Sequence, residues 1–306
     1  MFKPLLFLAL LCTALGCSGP ASPDAAREGQ LRVTTTTTMV ADLVRSVGGD
    51  RVAVEALMGP GVDPHLYKAA ASDVSKLQRA DLIFYSGLLL EGKMQEVFTN
   101  LARTKRVHAV TDSVPKDRLM APPEFEGHPD PHVWFDVPLW KLCLDSVVHA
   151  LTEADPAGAE HYQQHAAAAR ARMDELHHWA LAKASELPPE RRILVTSHDA
   201  YNYFGRAYGF QVVGLQGIST VSEAGLADMA KLSDFIKEKG IKAVFVESSV
   251  PHNTIERISK DTGVKIGGEI FSDAMGRAGE IENGYDLGTY EGMIKHNLTT
   301  IVEALK

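Results

Sequence analysis

From Leu31 onward the chain alternates two kinds of segment. Short β-branched and apolar runs predict strands at 31–37, 52–58, 81–85 and 107–110, and apolar residues at helical spacing predict helices at 39–47, 70–79 and 93–99. The threonine run that begins at Thr34 reads as strand, because threonine is a strong strand former. The C-terminal half repeats the pattern, with strands at 192–196, 211–215, 243–247 and 265–269 and helices at 200–208, 225–239, 254–262 and 290–304. Alternating strands and helices imply parallel sheets covered by helices on both faces. Between the halves, 155–190 opens with Asp155-Pro156, runs through Ala-rich sequence and closes on Pro188-Pro189. About 30 helical residues at ~1.5 Å each make a rod of about 45 Å. The expected fold class is therefore α/β, with two βα lobes joined by one long rigid helix. The boundaries are 31–154 for the N-terminal lobe, 155–190 for the helix and 191–306 for the C-terminal lobe. A flexible two-strand hinge is not visible.

The first 16 residues form a different kind of segment. Lys3 precedes an apolar run from Leu5 to Leu15, too short for the roughly 20 residues that span a bilayer, and the stretch reads as a secretory signal. It ends Ala14-Leu15-Gly16-Cys17, which resembles a bacterial lipobox. The reading is cleavage before Cys17, lipidation of that thiol, and a flexible leash over the rest of 17–30. The plainer alternative is an ordinary signal with an incidental cysteine. Of the three cysteines, Cys12 falls in the signal and Cys17 is taken by lipid, so Cys143 has no partner for a disulfide and reads as a small buried hydrophobe. The formal charge of −8 becomes −9 when Lys3 leaves. Mild acidity with interspersed signs argues against nucleic acid, and no later segment is apolar for long enough to cross a membrane.

Four loops carry metal-type side chains. They are His65 in Gly61-Val-Asp-Pro-His-Leu-Tyr67, His132 in His128-Pro-Asp-Pro-His-Val-Trp-Phe-Asp136, His198 in Val195-Thr-Ser-His-Asp-Ala-Tyr201, and Asp273 in Gly267-Gly-Glu-Ile-Phe-Ser-Asp-Ala-Met275. Loops beyond the carboxyl ends of strands are where open α/β sheets bind ligands. Two ligands from each lobe would place an ion in the inter-lobe cleft. Three imidazoles and a carboxylate suit zinc, manganese or ferrous iron. Neutral imidazoles must bind the ion, so affinity is expected to fall as pH drops through about 6.5. Glu247 and Glu269, each at a strand end, are candidates to orient an imidazole from behind, or else plain surface charges. Among the remaining histidines of the twelve, His128 competes for a ligand role, although Pro129 and Pro131 forbid a helix that would align it with His132. His161 and His165, one helical turn apart, read as exposed polar residues, as do His177 and His178. His108, His149, His252 and His296 show no partners. No His-Glu-x-x-His helix, Gly-x-Ser-x-Gly elbow or P-loop is present. A site whose four positions are all filled by protein leaves no place for water chemistry, which argues against an enzyme.

With these residues in view, the chain resembles the metal-binding solute receptors of ABC transporters, of the TroA/ZnuA type (substrate-binding cluster A-I), over about 31–306. The resemblance is carried by Val195-Thr-Ser-His-Asp-Ala, Gly214-Leu-Gln-Gly-Ile-Ser, Phe245-Val-Glu-Ser-Ser-Val-Pro-His and Gly267-Gly-Glu-Ile-Phe-Ser-Asp-Ala-Met-Gly276. It implies two lobes, one long connecting helix, and an ion held between the lobes and passed to a membrane permease with its cytoplasmic ATPase. The four ligands it implies fall on His65, His132, His198 and Asp273. Manganese-selective members usually place Glu at the third position, so His198 leans toward zinc. Dedicated zinc members carry a long His-rich loop before the second ligand, and the segment Ala121-Pro-Pro-Glu-Phe-Glu-Gly-His128 is short. The expected order is zinc, then manganese, then iron. A monomer lipid-anchored at the outer face of the cytoplasmic membrane, in the periplasm or at the cell surface, is the implied setting. A surface adhesin or structural lipoprotein with incidental metal binding is the alternative.

Overall fold

Five threonines in a row, Thr34 to Thr38, end one element and begin the next. In the computed structural model, which describes residues 27–306, the first strand stops at Thr35 (β1, Leu31–Thr35) and Thr37 caps the following helix (α1, Thr38–Gly48) by accepting from the Val40 amide. The strand is two residues shorter than predicted because the second half of the run supplies hydroxyls: Thr36 donates to the buried Glu91 carboxylate at 2.6 Å. The leader at 1–16, Cys17 and the leash up to residue 26 lie outside the described residues.

The N-terminal half adds β2 (Val52–Ala56), α2 (Ala71–Arg79), β3 (Leu82–Tyr85), α3 (Gln95–Leu101) and β4 (Arg106–Ala109). All pairings are parallel, in the order β2-β1-β3-β4. Two helices absent from the sequence reading follow, α4 (Val137–Trp140) and α5 (Cys143–Ala154); Cys143 is fully buried at the start of α5. Their signal is masked by Pro138, which sits in the first turn of α4, where its missing N–H costs nothing.

The C-terminal half contains β5 (Ile193–His198), α7 (Asn202–Tyr208), β6 (Gln211–Gln216), α8 (Leu226–Lys239), β7 (Ala243–Glu247), α9 (Asn253–Thr262) and β8 (Lys265–Ile270), after the long helix α6 (Ala159–Ala184). Strands β5 and β6 pair in parallel, as do β7 and β8, and β5 lies beside β7. Strand β5 runs two residues further than predicted, so His198 is its last residue. A two-residue hairpin, β9 (Ile281–Glu282) and β10 (Tyr285–Asp286), precedes the final helix α10 (Tyr290–Leu305). Asn283 and Gly284 turn it with φ of 51° and 82°, as a type I′ turn requires.

Helix α6 has 26 residues, hence about 39 Å at ~1.5 Å per residue. Its buried face is Tyr162, Ala166, Ala169, Met173, Leu176, Ala180 and Ala184, a three-and-four spacing rich in alanine that lets neighbours approach closely. Helices α1 and α5 from one lobe and α10 from the other all pack on it. One apolar cluster therefore runs from Val33 and Trp140 through α6 to Phe271 and Met293. Trp140 is fully buried in this shared core, so Trp140→Ala is expected to cost about 3–5 kcal/mol. Chemical denaturation should show that loss in a single transition spanning both lobes; two separated transitions would contradict a shared core.

Candidate metal centre

The tripeptide Asp-Pro-His occurs twice, and in both places it builds the same turn. Asp63 Oδ1 accepts from the His65 amide at 2.8 Å, and Asp130 Oδ1 accepts from the His132 amide at 2.9 Å. Each is a carboxylate bonding the backbone two residues on, with proline stiffening the step between. The second carboxylate oxygens reach the C-terminal half. Asp63 Oδ2 accepts from Thr220 Oγ1 at 2.6 Å, and Asp130 Oδ2 accepts from Asn202 Nδ2 at 3.1 Å. The turns that aim the two N-lobe histidines thus also tie the lobes together. On the other side, Asp273 follows β8 in a segment held by Trp134 Nε1 donating to Ser272 O at 3.0 Å and by the Met275 amide donating to Thr38 Oγ1 at 2.8 Å.

These turns and strand ends bring together His65, His132, His198 and Asp273, all at most 3% exposed, with one ligand atom from each within 4.8 Å of all the others. His65 Nε2 lies 3.4 Å from His132 Nε2, His132 Nε2 lies 3.3 Å from Asp273 Oδ1, and His198 Nε2 lies 3.3 Å from Asp273 Oδ2. His65 Nε2 is 3.9 Å from Asp273 Oδ2. Bonds of about 2.0–2.1 Å to a tetrahedral ion separate its ligand atoms by about 3.4 Å. Three of these four separations already have that length. His198 Nε2 and both oxygens of Asp273 are buried with no hydrogen-bond partner among the described residues. Leaving such groups unpaired is costly, and a divalent cation at their common centre satisfies all of them.

Behind the ligands stand two carboxylates. Glu247, fully buried, accepts from the His198 amide at 2.8 Å and holds its Nδ1 at 2.5 Å. Asp130 sits 2.8 Å from His132 Nδ1. Both keep Nε2 turned to the centre. Of the two strand-end carboxylates, Glu247 contacts a candidate ligand imidazole and Glu269 does not. Glu269 lies on the outermost strand, β8, with its side chain about half exposed and 3.5 Å from His252 Nε2, away from all four ligands. Asp130 was missed from sequence, although the doubled Asp-Pro-His was its signal.

The remaining histidines are elsewhere. His161 is half-buried, with Nε2 3.0 Å from the Gly48 carbonyl, and stacks on His165 at 4.0 Å. That corrects the exposed reading, because the helix face they share packs against the end of α1. His177 rests on Tyr208, whereas His178 is exposed. His252 and His296 both have backbone carbonyl partners, at Glu247 and Glu269.

Burial drives His65 down to about 3, so it is neutral and ready to bind. Burial also opposes charge on His132, but Asp130 and Asp273 lift it to about 9. His198 is likewise opposed by burial and carried well above the usual imidazole range by Glu247 and Asp273. Burial would raise Asp273, yet the His198 and His132 imidazoliums hold it well below the usual carboxylate range. Without an ion, protons on His132 and His198 would stand in for the missing cation beside the Asp273 carboxylate. A divalent ion then takes the place of two protons and leaves the net charge unchanged. The expected pH window moves up from 6.5: affinity should keep rising through pH 7 and 8 toward about 9, by roughly 100-fold per unit while two protons are displaced. Titrations at pH 6, 7 and 8 in buffers of different ionisation enthalpy measure this directly. A plateau above pH 7 would contradict it.

Residues 33–304 match the family described as ZnuA, zinc-uptake complex component A, periplasmic. The chain belongs to this family. It is 46% identical over 312 residues to the manganese-binding lipoprotein MntA of Bacillus subtilis, covering 100% of this chain and 99% of that protein. It is 47% identical over 289 residues to the zinc-binding protein TroA of Treponema pallidum, covering 93% and 92%. The solved structure of that periplasmic zinc binding protein superposes with a TM-score of 0.86 at 46% identity, over 90% of this chain and 99% of the other. The ZnuA family is one of solute-binding receptors, and two parallel βα lobes on a long helix are its fold in this chain as well.

Proposed function

We propose that this ZnuA-family chain captures a divalent transition metal outside the cytoplasm and delivers it to an ABC permease with its cytoplasmic ATPase. The observation that carries the reading is the convergence of three Nε2 atoms and one carboxylate, among which His198 Nε2 and both Asp273 oxygens have no hydrogen-bond partner among the described residues. His65, His132, His198 and Asp273 are the ligands, with Glu247 and Asp130 orienting two of them. Four protein ligands, two from each half, fill a tetrahedral shell and leave no position for an activated water, so the chain binds its metal without turning over a substrate. The ion is cargo.

Zinc comes first, because three imidazoles and one carboxylate at tetrahedral separations suit it, with manganese second and ferrous iron third. The likeness to both a zinc-binding and a manganese-binding relative supports a site that accepts either. Lipidation at Cys17 anchors the monomer at the outer face of the cytoplasmic membrane, with lobes at 31–154 and 191–306 on either side of the 155–190 helix. No helix of the described residues is long and apolar enough to cross a membrane. Competition between zinc and manganese at one chelator concentration tests the ranking. Zinc should displace manganese at stoichiometric amounts; retention of manganese against equimolar zinc would reverse the order.

A further inference from the structure

A second set of metal-type groups lies outside the cleft, between α10 and the β9–β10 hairpin. His296 is 4% exposed and its Nε2 is 3.0 Å from the Glu269 carbonyl oxygen. A carbonyl only accepts, so Nε2 carries a proton, and Nδ1 is the nitrogen left to offer a lone pair to a metal. That Nδ1 is buried with no hydrogen-bond partner among the described residues. It faces the Glu282 carboxylate at 3.7 Å, which places one acceptor against another. Both groups line a cavity of about 520 Å³ with Glu269 and Thr299, whose hydroxyl is also buried and unpartnered. Glu303, on the same wall, is already engaged by Lys183 and Lys306. Among the described residues, Glu282 has no Lys or Arg nitrogen within 4.0 Å, and His296 is its only ion-pair candidate.

We propose that His296 Nδ1 and Glu282 form a second, weaker site for a divalent transition metal such as zinc, with Glu269 able to swing in as a third ligand. The backbone carbonyl behind Nε2 fixes the tautomer in the way that outer partners fix metal-bound imidazoles. The 3.7 Å gap is close to the separation of about 3.4 Å that ligands of one zinc ion adopt. Glu282 and Glu269 are each about half exposed, Glu269 would have to leave His252 to reach the ion, and water would complete the shell. An ion there would pin the hairpin to α10, beside Phe271, which packs on His296 and lies two residues before Asp273.

The test uses the full mature chain already loaded with one equivalent of zinc. Further zinc, followed by calorimetry and equilibrium dialysis, should show a second equivalent at least 100-fold weaker than the first. Glu282→Gln, a change at an exposed position, should weaken that second binding at least tenfold and leave the first unchanged. His296→Gln should do the same where it folds. Saturation at one equivalent up to millimolar zinc would show that a proton bridges His296 and Glu282, and would overturn the proposal. So would a second equivalent that Glu282→Gln does not weaken, since the ion would then lie elsewhere, for example at His161 and His165.

Discussion

Replacing Asp273 with alanine is expected to weaken zinc binding by well over 100-fold, since loss of an outer-shell partner alone costs about 10–100-fold. Asp273 is the sole anion among the four ligands and lies 3.3 Å from two of the imidazoles. Its removal has two consequences. The ion loses a charged ligand, and the empty site loses the counter-charge that keeps His132 and His198 protonated. Asp273→Ala should therefore also release fewer protons per ion bound than the parent chain. Asp273→Asn separates charge from shape: it keeps the volume and one oxygen, yet should still lose most of the affinity. Chelator competition with a parallel proton-release measurement reads both effects. Parent-like affinity in Asp273→Ala would remove this residue from the site.

The second large effect is expected at Glu247, which touches the ion only through His198. Glu247→Gln keeps an oxygen able to accept the His198 amide bond, but it no longer places a carboxylate against Nδ1. The imidazole loses its fixed tautomer and part of its basicity, so zinc affinity should fall about 10–100-fold while the fold persists. Glu269→Gln, at the corresponding end of the neighbouring strand, should leave cleft affinity unchanged. Two carboxylates with near-identical sequence settings thus predict opposite outcomes. Equal losses in both variants would mean that Glu247 acts through general charge and not through its contact with His198.

That contrast marks where local sequence stops being informative. Both glutamates end a β-branched or glycine-bearing run, and nothing nearby says which run is central. The difference is tertiary. Strand β7 lies between β5 and β8 and is buried along its whole length, whereas β8 is outermost and leaves Glu269 in solvent. The four candidate ligands that the structure brings together were readable because each stands at a turn with strong local chemistry: Asp-Pro-His twice, a strand end at His198, and a glycine-rich strand leading to Asp273. Long periodic helices and buried strands were readable for the same reason. The β9–β10 hairpin has strands too short to show any period, and the turn signal of its Asn283-Gly284 pair went unread. His296 looked partnerless because its partners, the Glu269 carbonyl and Glu282, come from other elements of the fold.

The central claim is that His65, His132, His198 and Asp273 hold one ion between the lobes. The most direct measurement is metal analysis of the purified mature chain, without its lipid, followed by zinc titration against a chelator of known affinity, for the parent and for His132→Ala. The account predicts one tightly held ion per chain in the parent and its loss in His132→Ala, with the variant still folded. A folded parent chain that neither retains an ion nor takes one up saturably would contradict it, as would a variant that binds as tightly as the parent.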